Sequence, residues 1–179
     1  MFAKDEAVPT EIELPSDADA ILAVLAGDGM LWLSEVPNKV LRREPLYARF
    51  PNVRKTGVYV IRDVLRQPGL FYAGKVVQDP ETDTINRNAD GIIGRLSGHQ
   101  NMVGSNVLAR WFQYVHPEVP IPTKVRAGSL RDRIRTEAAD RLRVSYIACP
   151  PHTANRIESH VIKRGLPGEG IAPILNSPN

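Results

Sequence analysis

Cysteine is almost missing from this sequence: Cys149 is the single thiol in 179 residues. An internal disulfide framework is therefore excluded, and the composition suits a reducing cytosol. Long apolar runs are missing as well, since no stretch approaches the roughly 18 residues that cross a bilayer. The first 20 residues hold six carboxylates against one lysine, without the basic and apolar parts of a secretory signal. A cytoplasmic chain with no membrane association is expected. No Walker-type GxxxxGK[ST] occurs, and no Rossmann glycine pattern follows a strand. The four histidines and one cysteine form no zinc-ligand spacing. Cys149 and His152 are separated by two prolines and have no visible orienting partner, so Cys149 reads as a strand residue filling the core rather than a nucleophile.

What remains supports one globular domain. Hydrophobic residues make up 42% and charged residues 24% of the chain, enough for a real core at this length. Residues 1–50 read as an N-terminal extension that packs on the main domain. Within it, Ser16 should cap a helix whose apolar face is Ile21, Leu22, Val24 and Leu25. The main domain is expected over residues 51–179, with an insertion at about 100–142. In GVYVIRDVLRQPGLFYAGKVV, residues 57–77, Val, Ile, Tyr and Phe dominate both halves on either side of Pro68 and Gly69. That pattern predicts two strands of a hairpin. A polar loop should fill 78–90, and GIIGRLSGHQNMV a helix through Ile92, Leu96 and Met102. A basic helix is expected over 128–143 and a third strand over 143–150. A last helix follows, with Thr153 as N-cap and Gly165 as C-cap. The order β–β–α–α–β–α predicts a small α/β (α+β) domain: a three-stranded, mainly antiparallel sheet flanked by helices.

Charge is unevenly placed. Residues 124–143 carry seven Lys/Arg and three Asp/Glu, which suits either a phosphate-binding face or a solvated helix with pairs such as Arg133–Glu137. Arg95 and His99 are four apart, hence on one helix face. An arginine offers a planar fork for phosphate oxygens, and a histidine exchanges protons near neutrality. Glu158 sits at the edge of the apolar stripe formed by Ile157, Val161 and Ile162. It reads as a solvated carboxylate or as a ligand for Mg²⁺, which needs only one or two carboxylates. Asn176 in PILNSPN could begin a turn. His116 and His160 read as structural, and Trp111 and Phe112 as core.

In chain order these residues run Gly57-Val58-Tyr59, Tyr72-Ala73-Gly74-Lys75, Arg95-x-x-x-His99, Glu158 and Asn176. The series resembles the GIY-YIG nuclease superfamily, over roughly residues 55–177. Val58 and Ala73 stand where the motif has isoleucines, and the gap between the two tyrosines is slightly long. The resemblance implies a metal-dependent endonuclease that hydrolyses DNA phosphodiesters by in-line attack of water. Glu158 would hold one Mg²⁺ or Mn²⁺, and Arg95 would clamp a non-bridging oxygen. Tyr59 or His99 would be the general base, with Lys75 or the metal lowering the phenol pKa. Tyr72 would orient water and phosphate, and Asn176 would brace the site by hydrogen bonding. Double-stranded DNA is the implied partner, with Arg126, Arg131, Arg133 and Arg135 as candidate contacts. With three residues after Asn176, recognition is expected from residues 1–50, the insertion or a second subunit. That layout fits a restriction-type homodimer, a structure-specific repair or mobile-element nuclease, or a non-catalytic nucleic-acid-binding domain of the same fold.

Overall fold

The structure, a computed structural model, describes residues 17–27, 29, 31–37, 44–50, 52–66, 71–77, 91–100, 106–169 and 173–176. Ser16, the Pro68–Gly69 turn, the loop 78–90 and Met102 lie outside them. The described elements are α1 (Ala18–Ala26), β1 (Leu31–Trp32), α2 (Glu44–Arg49), β2 (Gly57–Asp63), β3 (Phe71–Val76), α3 (Gly91–His99), α4 (Val107–Val115), α5 (Ser129–Ala139), β4 (Leu142–Ala148) and α6 (Pro151–Arg164). Short 3₁₀ turns follow at Leu33–Glu35 and Ile174–Asn176. The class is α+β, and none of these helices is long and apolar enough to cross a membrane.

The four strands form one antiparallel sheet in the order β1-β4-β2-β3. This corrects the expected three strands. β1 is a two-residue strand, too short to show an alternation, and it exists because Leu31 and Trp32 pair with Val144 and Arg143 of β4. The Arg143 guanidinium lies 4.4 Å from the centre of the Trp32 ring and donates to Gly29 O. Residues of the expected extension thus supply a sheet edge.

Strand β2 is buried along its whole length because helices cover both faces of the sheet, so its residues are apolar on both sides rather than alternating with polar ones. Tyr59 and Ile61 meet α3 and α4 through Ile92, Ile93, Leu96, Leu108, Trp111 and Phe112. Val58 and Val60, with Phe71 and Ala73 of β3, meet Ile21, Leu22 and Leu25 of α1 and Ala154, Ile157 and Val161 of α6. The strand period of two sorts these residues between two layers of core. Gly57 opens β2 where a Cβ would fall on the Ile147 carbonyl of β4, so the glycine permits the close pairing of Gly57 with Ala148.

Several boundaries differ from the sequence reading. Helix α4, Val107–Val115, was not foreseen as a separate element, and its Trp111 and Phe112 are core residues as expected. Strand β4 stops at Ala148, so Cys149 lies just past the strand. It is half-buried, and burial raises its thiol pKa. Helix α6 begins at Pro151 with Pro150 as N-cap, one turn earlier in effect than a Thr153 cap requires. Proline at the first helical position has its φ already set and lacks only an N–H that would go unbonded. Gly165 ends α6 as expected, at φ 76°.

Candidate functional site

The register of β2 with β3 sets the site. Tyr59 faces Gly74 across the pair, while Ile61 faces Tyr72. Alternation puts both tyrosines on the α3 side of the sheet. A Cβ on Gly74 would clash with the Tyr59 hydroxyl and stand 2.5 Å from its ring carbon Cζ. The bare glycine therefore gives the phenol a place to lie across β3. From α3, His99 completes a three-ring cluster, with centroids 5.6 Å from Tyr59 and 5.0 Å from Tyr72. The two tyrosine rings are 6.3 Å apart.

The Tyr59 hydroxyl and His99 Nε2 share a hydrogen bond of 2.6 Å. Burial pushes the Tyr59 phenol well above its ordinary pKa, Tyr72 and Glu158 add to this, and Arg95 opposes it by charge and by hydrogen bonding. Burial and the Arg95 charge lower His99 from 6.5 to about 3. Both groups are therefore neutral at neutral pH, and the phenol O–H donates to Nε2 when the imidazole proton is on Nδ1. Arg95 itself is exposed. One turn separates it from His99 on α3, which lets a solvent-facing cation and a buried base address the same hydroxyl.

The low His99 pKa has a consequence for folding. An unfolded histidine binds its proton near pH 6.5, whereas the folded one stays neutral down to about 3. The unfolded state thus binds more protons in that window, so stability is intact above pH 6.5 and falls on acidification. Between pH 6.5 and 5 the loss should approach about 2 kcal/mol at about 1.4 kcal/mol per pH unit. Urea midpoints taken across that range should show the slope in the parent chain and a flatter line in His99→Gln. Equal slopes would refute the assignment.

Lys75 and Glu158 meet on the other side of β3. Alternation turns Lys75 toward α6, where its Nζ lies 2.6 Å from Glu158 Oε2. The carboxylate side chain is 17% exposed and the lysine 34%, so the pair opens to solvent. Glu158 projects beside the buried stripe Ala154, Ile157 and Val161, near enough to influence Tyr59 electrostatically. Asn176 sits alongside β3, an edge strand among the described residues. Its side-chain amide donates to Ala73 O and accepts from Ala73 N–H, both at 2.7 Å, taking up an outward pair of backbone groups on an edge strand. Tyr59, Tyr72, Arg95, His99, Lys75, Glu158 and Asn176 are thus gathered around one strand.

The arginines of the expected insertion are not gathered there. Helix α5 packs against the 3₁₀ turn Leu33–Glu35, which continues β1 at the sheet edge opposite β3. Arg133 is bonded to Glu137 at 2.8 Å, as its spacing predicts, and Glu137 also binds His116 at 2.6 Å. Arg135 lines a cavity of about 320 Å³ with Leu33, Val36, Gln100, Leu108 and Ala138. Arg126 is exposed.

Among the described residues no group of three or more His, Cys, Asp and Glu could cage a metal. Glu158, partly exposed and paired with Lys75, nevertheless has the chemistry that a hard divalent ion keeping most of its waters, such as Mg²⁺, would need. Comparison with known proteins finds no matching family model, no matching curated protein and no matching solved structure.

Proposed function

We propose that the chain is a metal-dependent endonuclease of the GIY-YIG type that hydrolyses DNA phosphodiester bonds. The observation that carries this reading is the convergence of five separated segments on β3: Tyr59, Tyr72, the Arg95–His99 turn, Glu158 and Asn176. Each belongs to the motif by type and order, and packing brings them together across up to 103 residues of chain.

In this reading the scissile phosphate lies between Arg95 and Glu158. Arg95 binds a non-bridging oxygen through its planar fork and stabilises charge as the pentacovalent state forms. Glu158 would hold Mg²⁺ or Mn²⁺, which supplies charge neutralisation at the phosphate and its leaving oxygen when bound. Lys75 now occupies that carboxylate and is the cation that must yield part of it. Tyr59 and His99 act as one hydrogen-bonded unit: as water oxygen bonds to phosphorus and the ester oxygen leaves, the proton from water passes to this pair. Burial keeps the phenol protonated in the resting site, and Arg95 is the residue that opposes it. Tyr72 flanks both rings and holds them in place. A non-catalytic nucleic-acid-binding domain is the second reading. It would expect Arg95 or Glu158 to turn from the tyrosines; Arg95 hydrogen-bonds with Tyr59, whereas Glu158 pairs with Lys75 on the other side of β3. A restriction-type homodimer that cuts both strands fits the same site.

Purified protein incubated with plasmid DNA and Mg²⁺ should nick or cut it. Glu158→Ala and Arg95→Ala should each slow cleavage by on the order of 10²-fold or more. Intact DNA in Mg²⁺ and Mn²⁺ with varied substrates would sink the nuclease in favour of the binding domain.

A further inference from the structure

Helix α6 carries a second feature beside Glu158. Its inner face is Ala154, Ile157 and Val161. At 100° per residue, His152, Arg156, Ser159 and Lys163 fall on the opposite face, and Asn155 and Ile162 lie between that stripe and Glu158. His152, Asn155, Ile162 and Lys163 are exposed, while Arg156 and Ser159 are half-buried. The stripe contains no carboxylate. Arg156 and Lys163 form no ion pair among the described residues, unlike Arg133 of α5, whose charge is met by Glu137.

We propose that this face of α6 is a track for the phosphodiester backbone of double-stranded DNA next to the bond being cut. The inference rests on the nuclease reading and adds where the duplex lies. Charge complementarity names the occupant: two cations without an ion pair among the described residues, beside an imidazole and a serine, match a line of phosphates, and the stripe itself holds no carboxylate. Continuity with the site gives the direction, because Glu158 lies on the same helix, beyond Asn155 and Ile162. From His152 to Lys163 the helix rises about 16 Å, close to five base steps of one strand. The α5 arginines stand toward the β1 edge of the sheet, so a duplex centred on Glu158 meets α6 first. Such contacts position DNA without reading its sequence.

The test is binding of a random-sequence duplex measured over a range of salt without divalent metal, so that hydrolysis does not enter. Arg156→Ala/Lys163→Ala should reduce the slope of log affinity against log salt by about 1.8, two contacts at about 0.9 each. At 0.1 M salt this corresponds to about 60-fold weaker binding, uniform across sequences and converging toward the parent chain near 1 M. Both side chains lie off the inner face, so the melting temperature should hold. An unchanged slope in this variant overturns the track, and so does a slope lost only in Arg131→Ala/Arg135→Ala. Plasmid cleavage is scored separately: its absence from the parent chain rejects the nuclease and leaves the salt slope to decide the track.

Discussion

Asp63→Ala should destabilise the chain by about 3–5 kcal/mol, the range found when one partner of a buried charged pair is removed. Asp63 closes β2 with no exposed surface, yet its carboxylate is saturated. Oδ2 accepts from Trp111 Nε1 at 2.8 Å and from Arg141 Nη2 at 2.6 Å. Oδ1 accepts from Leu65 N at 3.0 Å and Arg141 Nε at 3.3 Å. The Arg141 guanidinium also lies over the Trp111 ring, 5.1 Å from its centre. Truncation strands the indole N–H inside the core, at a cost of about 1–3 kcal/mol, and leaves Arg141 unpaired. Arg141 is 16% exposed and can recover some hydration, whereas Trp111 is fully buried and cannot. Urea unfolding with an unchanged m-value should report the loss, and Arg141→Met in the same background should recover part of it. A loss below about 1 kcal/mol would mean that water replaces the carboxylate at no great cost.

This network was invisible in the sequence, where Asp63 was one charge inside VYVIRDV and Trp111 a candidate core residue without a partner. Nothing local specifies a bond across 48 residues. The same limit explains β1, whose two residues become a strand through pairing with β4. Helix α4 was missed for another reason: WFQYV has β-type residues whose helical state is decided by burying Trp111 and Phe112. Strands β2 and β3, by contrast, were legible because both have the composition that a covered sheet demands. The site was legible as an ordered set of residue types. Its geometry was not, since the turn from Arg95 to His99 says nothing about which hydroxyl the pair will meet. Helical arithmetic alone marks the α6 stripe, whereas the 124–143 segment stands out only by density of charge. Pairing matters more: Arg133 is neutralised on its own helix, while Arg156 and Lys163 have no ion pair among the described residues.

Gly74→Ala is expected to cripple the proposed site through one methyl group. The added Cβ would clash with the Tyr59 hydroxyl, and the ring is boxed in by Tyr72 and His99 with 1% exposure. Tyr59 must therefore shift and give up its 2.6 Å bond to His99. Overpacking of this kind costs about 1–3 kcal/mol, and a displacement near 1 Å at reacting groups costs about 10²-fold in rate. Tyr59→Phe separates the two effects: it removes the hydroxyl, so cleavage should fall comparably while the fold loses less. Because both changes act on one hydroxyl, the double variant should cleave about as slowly as either single one, rather than at the product of the two losses. Its stability should stay close to that of Gly74→Ala, since ring carbon Cζ, which phenylalanine keeps, also stands 2.5 Å from the new methyl. Losses that multiply would show that Gly74 serves the reaction by a route independent of Tyr59. Full cleavage by Gly74→Ala would show that the phenol does not act where β3 now holds it.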